Sequence, residues 1–317
     1  MKIKESSRSN SSVEVNTDSS RFEIDKTLFP CASHYIHLRN GARIHYVDEG
    51  EGPVLLLLHG NPTWSFLYRH IIAELRDNFR IIAPDYPGFG LSSAPPKYGF
   101  TAAEQAEAMT AFVEHLDLEG ITMMVQDWGG PIGFAIAERY PERFDRFIIG
   151  NTWAWPLERS GQKAFSTLMG GWPGQFAAWC CNGVLHFFMS KGMEKDLSDA
   201  EMAMYLAPFK ERAARTPTHV FPAQLLDADA FLQKVYNNLS RLADRPVLIV
   251  WGLEDFAFQE PERDRFRKLF ADHQSVLLEN AGHFIQEDAP EEITRAILAW
   301  YPSKGNKQST SRGEHHE

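Results

Sequence analysis

Short apolar runs recur along this chain, and segments with helical periodicity lie between most of them. Runs this uniformly apolar are typical of strands that are buried on both faces of a sheet. Six such strands are predicted, at residues 54–58, 79–83, 121–125, 147–150, 247–251 and 275–278. A hairpin is predicted before them, because residues 35–38 and 43–47 alternate in polarity around the turn residues Asn40 and Gly41.

Helices separate most of these strands. Their periodicity predicts them at residues 65–75, 102–115, 130–140, 261–270 and 290–300. The alternation of strand and helix predicts an α/β fold with a mostly parallel, eight-stranded sheet and helices on both of its faces. Ligands of such sheets bind at the carboxyl ends of the strands, so functional residues are expected in the loops that follow them.

One stretch interrupts the alternation of strand and helix. Residues 152–243 contain no clear buried strand, and their Trp, Phe, Met and Ala residues recur at helical spacing. We expect a helical cap here, inserted between two parts of the core at residues 23–151 and 244–302. Residues 1–22 and 303–317 are polar, and we expect both to be disordered tails.

The composition narrows the function classes. The net charge is −10, which argues against nonspecific nucleic-acid binding and against docking on a membrane of anionic lipid. Cys31, Cys180 and Cys181 are odd in number and two are adjacent, so a disulfide framework is not expected. With no evident signal peptide, membrane span or zinc-type Cys/His spacing, the sequence favours a cytoplasmic protein without a metal site.

Asp127 carries the sharpest chemical signal. It ends an apolar run and precedes a helix, in the segment Val-Gln-Asp-Trp-Gly-Gly at residues 125–130. A sharp turn between a strand and a helix presents a nucleophile at the edge of a sheet, and a carboxylate there can attack carbon to form an ester. The alternative is that Asp127 only caps the helix that follows.

A histidine and a second acid follow in the expected chain order. In folds with such a nucleophile turn the acid comes next along the chain and the histidine last. His283 follows the final strand and is the candidate general base. Asp255 follows the strand at 247–251 and is the candidate acid that orients it, with Glu254 as the fallback.

The loop at residues 59–63, His-Gly-Asn-Pro-Thr, directly follows the strand at 54–58. A loop in this position supplies one backbone N–H of an oxyanion hole, and the residue after the nucleophile supplies the other. These donors are the N–H groups of Asn61 and Trp128. His59 is expected to be structural, and the alternative for the whole loop is a simple proline turn.

Together these motifs resemble the haloalkane dehalogenases of the α/β-hydrolase fold, over about residues 30–302. The resemblance rests on the loop at 59–63 with Trp64, the segment Asp-Tyr-Pro-Gly-Phe-Gly-Leu-Ser at 85–92, the segment 126–130, and Gly282 with His283. It implies hydrolysis of a small apolar haloalkane to an alcohol, halide and a proton, without cofactor or metal.

The resemblance also implies individual roles. Asp127 would be the nucleophile, His283 the base and Asp255 the acid, as in the branch with an Asp-His-Asp triad. The side-chain N–H groups of Asn61 and Trp128 would hold the leaving halide. Asn151 matches a family residue whose role stays open, and Asp85 matches a structural turn residue.

Two other functions remain open at this point. An epoxide hydrolase can share the Asp-His-Asp triad, and it uses two cap tyrosines, for which Tyr205 and Tyr236 are the candidates. A non-catalytic binding member of the fold can retain the triad. Eight cap aromatics could line the pocket, although most are expected to pack in the core: Trp153, Trp155, Phe165, Trp172, Phe176, Trp179, Phe187 and Phe188.

Overall fold

A computed structural model describes residues 21–301 of the protein. Its strands are β1 (His34–His37), β2 (Arg43–Glu49), β3 (Val54–Leu58), β4 (Arg80–Pro84), β5 (Ile121–Asp127), β6 (Phe144–Thr152), β7 (Val247–Gly252) and β8 (His273–Leu278). They form one sheet in the order β1-β2-β4-β3-β5-β6-β7-β8. The hairpin strand β2 runs antiparallel to β1 and β4, and the other neighbouring pairs are parallel. The predicted eight-stranded, mostly parallel sheet is therefore confirmed.

The middle of the sheet is buried on both faces. Every residue of β5 and β7 is buried, because helices cover the sheet on either side. The helices of this core are α1 (Arg69–Leu75), α2 (Ala102–His115), α3 (Gly129–Arg139), α10 (Glu260–Leu269), α11 (Ile285–Asp288) and α12 (Pro290–Trp300). Helix α2 begins where predicted, because Thr101 and Glu104 form a reciprocal capping box.

Several elements differ from the sequence prediction, most clearly one helix and one strand. The helix predicted at 65–75 begins as a 3-10 turn, Ser65–Tyr68, before it becomes α1. Strand β6 is longer than the apolar run at 147–150, since Phe144 already pairs with Ile121 of β5. Backbone pairing with a neighbour extends a strand beyond its apolar residues, and hydrophobicity alone does not report it.

Between β6 and β7 the chain forms helices instead of strands. They are α4 (Ser160–Gly170), α5 (Trp172–Cys181), α6 (Gly183–Lys191), α7 (Asp199–Leu206), α8 (Thr216–Asp227) and α9 (Asp229–Asn238). This insertion follows the carboxyl end of β6. Because β6 and β7 are parallel neighbours, both strands end at the same edge of the sheet. None of the helices in residues 21–301 has the length and apolar character needed to cross a membrane.

The predicted tails lie almost entirely outside the described residues. Arg21 and Phe22 are the exception, and they belong to the folded body. The guanidinium of Arg21 donates to the carbonyl of Ser92 at 2.6 Å, and Phe22 is buried edge-on against Trp64. The folded body therefore includes the last two residues of the predicted tail.

The aromatic residues of the inserted segment do not pack as expected. Trp153, Trp155 and Phe188 are buried. Trp172 is 74 % exposed, and three more of the eight aromatics are also exposed, Phe176, Trp179 and Phe187. The expectation that most of them pack in the core is wrong, because helical spacing identifies a common face without telling what covers that face.

Candidate active site

Asp127 lies in a strained turn at the end of β5. Its φ of +49° is in the left-handed region, which is uncommon for a residue with a side chain. Two glycines leave room for this turn. A Cβ at Gly129, within the turn, would lie 2.2 Å from the carbonyl oxygen of Leu58, and a Cβ at Gly60, in the loop after β3, would lie 2.3 Å from Oδ1 of Asp127. This packing presents the Asp127 carboxylate at the sheet edge.

The carboxylate of Asp127 does not cap helix α3. That helix begins after Trp128 without a side-chain cap, and Oδ1 of Asp127 instead accepts the backbone N–H of Asn61 at 2.8 Å. One of the two predicted oxyanion-hole donors is thus already bonded to the candidate nucleophile. The helix-cap alternative for Asp127 has no support in this geometry.

His283 is buried between two carboxylates. Its Nδ1 lies 3.0 Å from Oδ2 of Asp255, and its Nε2 lies 3.5 Å from Oδ2 of Asp127. The Asp255 side chain is buried, whereas Glu254, the fallback, is exposed. The structure therefore brings Asp127, His283 and Asp255 together and leaves Glu254 outside.

Asn151, whose role the sequence left open, holds Asp255 from the neighbouring strand. Its Nδ2 donates to Oδ2 of Asp255 at 3.0 Å and to the carbonyl of Gly252 at 2.9 Å, and its Oδ1 accepts the N–H of Gly252 at 2.7 Å. The backbone N–H of Ala257 donates to the other Asp255 oxygen at 2.7 Å. These bonds fix the carboxylate that faces the imidazole.

Sequence reasoning missed a role for Gln126. The side chain is buried, and its Nε2 lies 3.0 Å from the carbonyl oxygen of His283 and 3.1 Å from the Nε2 of the same residue. The available signal was its position inside the segment 125–130, next to Asp127. Successive side chains of a strand point to opposite faces of the sheet. Because Asp127 was expected to face His283, its neighbour Gln126 was not expected to contact the same histidine.

The charges around His283 favour its protonated form. Burial alone lowers the pKa of the imidazole, but the carboxylates of Asp255 and Asp127 outweigh it and raise the pKa to about 10 from the ordinary 6.5. Each carboxylate contributes by its charge and by a hydrogen bond. The imidazole is therefore a cation at neutral pH as long as both carboxylates are ionised.

A cavity of about 220 Å³ opens onto Asp127 and His283. Asn61 and Trp128 line it, beside a mainly apolar wall to which the inserted helices contribute Phe165, Phe188, Pro222 and Leu225. The Asn61 side chain is only loosely held, since its Nδ2 donates to the carbonyl of Thr218 at 3.4 Å. Both residues that carry the predicted halide donors thus line the same cavity as the candidate nucleophile.

The two candidate tyrosines lie away from this cavity. Tyr205 is fully buried, and its hydroxyl bonds to the Glu287 carboxylate. Tyr236 packs edge-on against Trp155, with the guanidinium of Arg265 over its ring. Neither residue lines the cavity, so the pair that an epoxide hydrolase uses is not formed by these tyrosines.

His59 and Asp85 are buried and bond to neighbouring loops, in agreement with the structural roles expected for them. His59 stacks on Tyr86, whose backbone N–H donates to the His59 ring at 3.2 Å. Asp85 bonds to His45 at 2.8 Å and accepts the backbone N–H groups of Ser65 and Leu91 at 2.7 and 2.9 Å. Both residues organise the loops behind the site.

One cluster in the described part of the chain has atoms suited to a metal ion, at His70, Glu201 and Glu287. The guanidinium of Arg69 bonds to both of these glutamates. A metal cation would have to displace or oppose a guanidinium that already neutralises the carboxylates. The cluster is therefore explained as an ion-pair network between α1, α7 and α11.

Three comparisons with known proteins agree on the family to which this chain is similar. A sequence model of the α/β hydrolase fold matches residues 53–290. Haloalkane dehalogenase 2 of Mycobacterium tuberculosis is 44 % identical over 279 residues, which cover 87 % of this chain and 97 % of that protein. The crystal structure of a haloalkane dehalogenase from Bradyrhizobium elkani superposes with a TM-score of 0.78 at 26 % identity, covering 85 % of this chain and 97 % of that one.

A relative named for another activity is more distant. The cis-3-alkyl-4-alkyloxetan-2-one decarboxylase of Shewanella oneidensis is 34 % identical over 293 residues, covering 86 % of this chain and 88 % of that protein. The fold, the sequence model and the 44 % identical relative agree with one another. The chain belongs to the α/β-hydrolase superfamily and, within it, to the haloalkane dehalogenase family.

Proposed function

We propose that this protein hydrolyses small haloalkanes to an alcohol, a halide ion and a proton. The observation that carries the proposal is the placement of Asp127. Its carboxylate is buried at the wall of an apolar cavity, 2.8 Å from the backbone N–H of Asn61 and 3.5 Å from Nε2 of His283. Haloalkanes offer few hydrogen-bonding groups, so a mainly apolar cavity suits them.

In the first step, an oxygen of Asp127 attacks the carbon that bears the halogen and forms an alkyl ester. The carbon–halogen bond breaks, and its electron pair leaves with the halide. Negative charge moves from the carboxylate to the halide, so donors at the halide end stabilise the transition state more than the substrate. The side-chain N–H groups of Asn61 and Trp128 are the donors in this proposal.

In the second step, water attacks the ester carbonyl and His283 takes its proton. Asp255, held by Asn151, orients the imidazole and balances the charge that it gains. The tetrahedral oxyanion is stabilised by the backbone N–H groups of Asn61 and Trp128. The tetrahedral intermediate then collapses: its bond to the alkoxide oxygen breaks, the alkoxide takes the proton of the newly added hydroxyl group, and the Asp127 carboxylate, the alcohol and a protonated His283 remain.

The protonation state of His283 couples the two steps. With both carboxylates ionised, its pKa is raised to about 10, and a protonated imidazole cannot act as a base. Alkylation of Asp127 removes one of the two charges, so the pKa falls and the imidazole releases its proton to solvent. The base therefore becomes available after the ester has formed, when it is needed.

A second candidate is decarboxylation of an oxetan-2-one, because the 34 % identical relative is named as a cis-3-alkyl-4-alkyloxetan-2-one decarboxylase. A carboxylate that displaces halide from carbon can also displace the ring oxygen of a strained lactone, which opens the ring to an ester with a free carboxylate. Loss of carbon dioxide from that carboxylate, with expulsion of the Asp127 carboxylate, would then leave the alkene. The cavity of about 220 Å³ favours the haloalkane, since it lies below the roughly 300–1,000 Å³ of sites for larger ligands. A dialkyl oxetanone requires more room than a short haloalkane.

The test is a substrate panel with a matched nucleophile variant. The wild-type protein and the Asp127→Asn variant are incubated with 1,2-dibromoethane, styrene oxide and a cis-dialkyl oxetan-2-one, with bromide, diol and alkene as readouts. Bromide release by the wild type and none by the variant supports the proposal. Diol or alkene without bromide would assign a different activity to the same carboxylate, and tight ligand binding without turnover would favour a binding protein.

A further inference from the structure

We infer that Gln126 is a positioning residue: when Asp127 is alkylated and His283 has lost its proton, the Gln126 amide donates to Nε2 of the neutral ring and so keeps this nitrogen available as a base. The role as a base rests on the proposed function. The geometry rests on the contacts of Gln126 with the carbonyl and Nε2 of His283, and on the contact of Asp255 with Nδ1.

The backbone carbonyl of His283 determines which way the Gln126 amide points. A carbonyl oxygen only accepts hydrogen bonds, so the group 3.0 Å from it must be the NH₂ end of the amide. The same nitrogen lies 3.1 Å from Nε2 of His283. An NH₂ group has two hydrogens, and both contacts can be made at once.

The other ring nitrogen, Nδ1, also indicates that Nε2 of the neutral imidazole is the acceptor. Nδ1 of His283 faces Oδ2 of Asp255 at 3.0 Å, and an ionised carboxylate only accepts. Nδ1 therefore carries the hydrogen. In the neutral ring Nε2 is then left with its lone pair, which the N–H of Gln126 faces. The two ends of the imidazole thus specify one tautomer, the one that general-base catalysis requires.

The orientation of Gln126 has a cost. Its Oε1 is buried and has no hydrogen-bond partner among the described residues. An unpaired buried acceptor loses its hydrogen bonds to water without replacement, and such groups call for an explanation. The amide oxygen is left unpaired so that both N–H groups can face His283.

Gln126 disfavours protonation of the His283 imidazole, whereas the charged groups around the ring favour it. The charged groups facing the ring are the carboxylates of Asp127 and Asp255, and both favour the protonated form. The aromatic rings of Phe188, Phe256, Phe258 and Phe284 also lie near the imidazole and carry no charge. A neutral donor directed at Nε2 is the contact in this set that disfavours a proton there. Once Asp127 is alkylated, this contact limits how tightly the ring retains its proton.

The experiment is a histidine-selective ¹⁵N NMR titration of the resting protein, with His283→Phe to assign the signal. Gln126→Met removes the donor at similar volume, and we expect the His283 midpoint to rise by about one pH unit, since 1.36 kcal/mol corresponds to one unit. Gln126→Glu replaces the donor by an acceptor and should raise it further. Gln105→Met changes another fully buried glutamine, bonded to the carbonyl of Pro87, and should leave the midpoint unchanged.

An unchanged or lowered midpoint in both Gln126 variants would overturn the inference. The titration needs no substrate, so it decides the role of Gln126 even if the substrate panel finds no haloalkane turnover. Kinetics give a second readout that a merely structural role would not move. In Gln126→Met the halide burst should stay within about threefold of wild type, while ester hydrolysis at neutral pH slows about tenfold and recovers as the pH is raised.

Discussion

The backbone N–H of Asn61 donates to Oδ1 of Asp127 at 2.8 Å. On the proposed mechanism, the resting carboxylate already places one oxygen where the oxyanion of the ester intermediate will form. The donor is built into the loop after β3, so it needs no rearrangement when charge returns to that oxygen. The other oxygen, Oδ2, is the one that faces Nε2 of His283.

The halide site makes a prediction for two changes at Asn61. Asn61→Ala removes one side-chain donor, and we expect kcat/KM for a bromoalkane to fall about 10²- to 10³-fold, as for the loss of one oxyanion donor. Asn61→Asp places a negative charge against the leaving halide and should lower it further. Both variants keep the backbone N–H, so an undiminished rate in either would contradict a halide role for this side chain.

Asn151 is expected to affect ester hydrolysis more than alkylation. Asn151→Leu removes the donor to Asp255 and leaves the backbone N–H and carbonyl of Gly252 unpaired, which destabilises the fold by roughly 1–3 kcal/mol per lost buried partner. Chemical denaturation measures that loss, and rapid-quench kinetics separates the two steps. Equal slowing of both steps would indicate a general packing defect instead.

The stability of the protein should depend on the charge of His283. Because its folded pKa is raised from 6.5 to about 10, the stabilisation is complete below about pH 6.5 and is lost as the pH rises towards 10. The loss is on the order of a few kcal/mol for this fully buried group. Denaturant titrations of wild type and His283→Phe across this range measure it, and parallel pH profiles of the two proteins would contradict it.

The proposed coupling also predicts when the proton is released. If the resting imidazole is protonated, proton release accompanies halide release in the first turnover and precedes alcohol formation. A pH-indicator dye in weak buffer at about pH 8 should therefore show a proton burst equal to the halide burst, below the raised pKa of His283. A proton that appears only with the alcohol would mean that the resting imidazole is neutral.

The nucleophile turn predicts a contrast between two glycines. Gly129→Ala drives a Cβ to 2.2 Å from the backbone oxygen of Leu58, which cannot rotate away, so we expect a loss of several kcal/mol or no soluble protein. A Cβ at Gly161, in α4, would meet nothing within 4 Å, so Gly161→Ala should be neutral or stabilising by up to about 1 kcal/mol. Thermal unfolding of the two variants measures the difference.

The middle of the sheet could be predicted from the sequence because its strands are buried on both faces. The central strands read as apolar runs, and the runs at 54–58 and 247–251 agree with β3 and β7 to within one residue. The positions of Asp127, Asp255 and His283 followed from their places after strands, since the carboxyl ends of parallel strands meet at one edge. Their mutual distances are a consequence of that topology.

Contacts across the sheet could not be predicted in this way. Asn151 reaches Asp255 on a neighbouring strand, and Gln126 reaches His283 in a loop 157 residues away. Such pairs depend on strand register and side-chain rotamers, which a hydrophobic pattern does not specify. The exposed aromatics of α5 show the same limit, because periodicity cannot tell a covered face from an open one.

If Asp127 is the nucleophile, its alkyl ester can be trapped by removing the base that hydrolyses it. The variant His283→Phe is mixed with 1,2-dibromoethane, and its intact mass, its peptide map and the bromide released are measured. We expect a single bromoethyl adduct on the peptide that contains Asp127, with one bromide released per protein and no further turnover. Continued bromide release without an adduct, or an adduct at another residue, would contradict it.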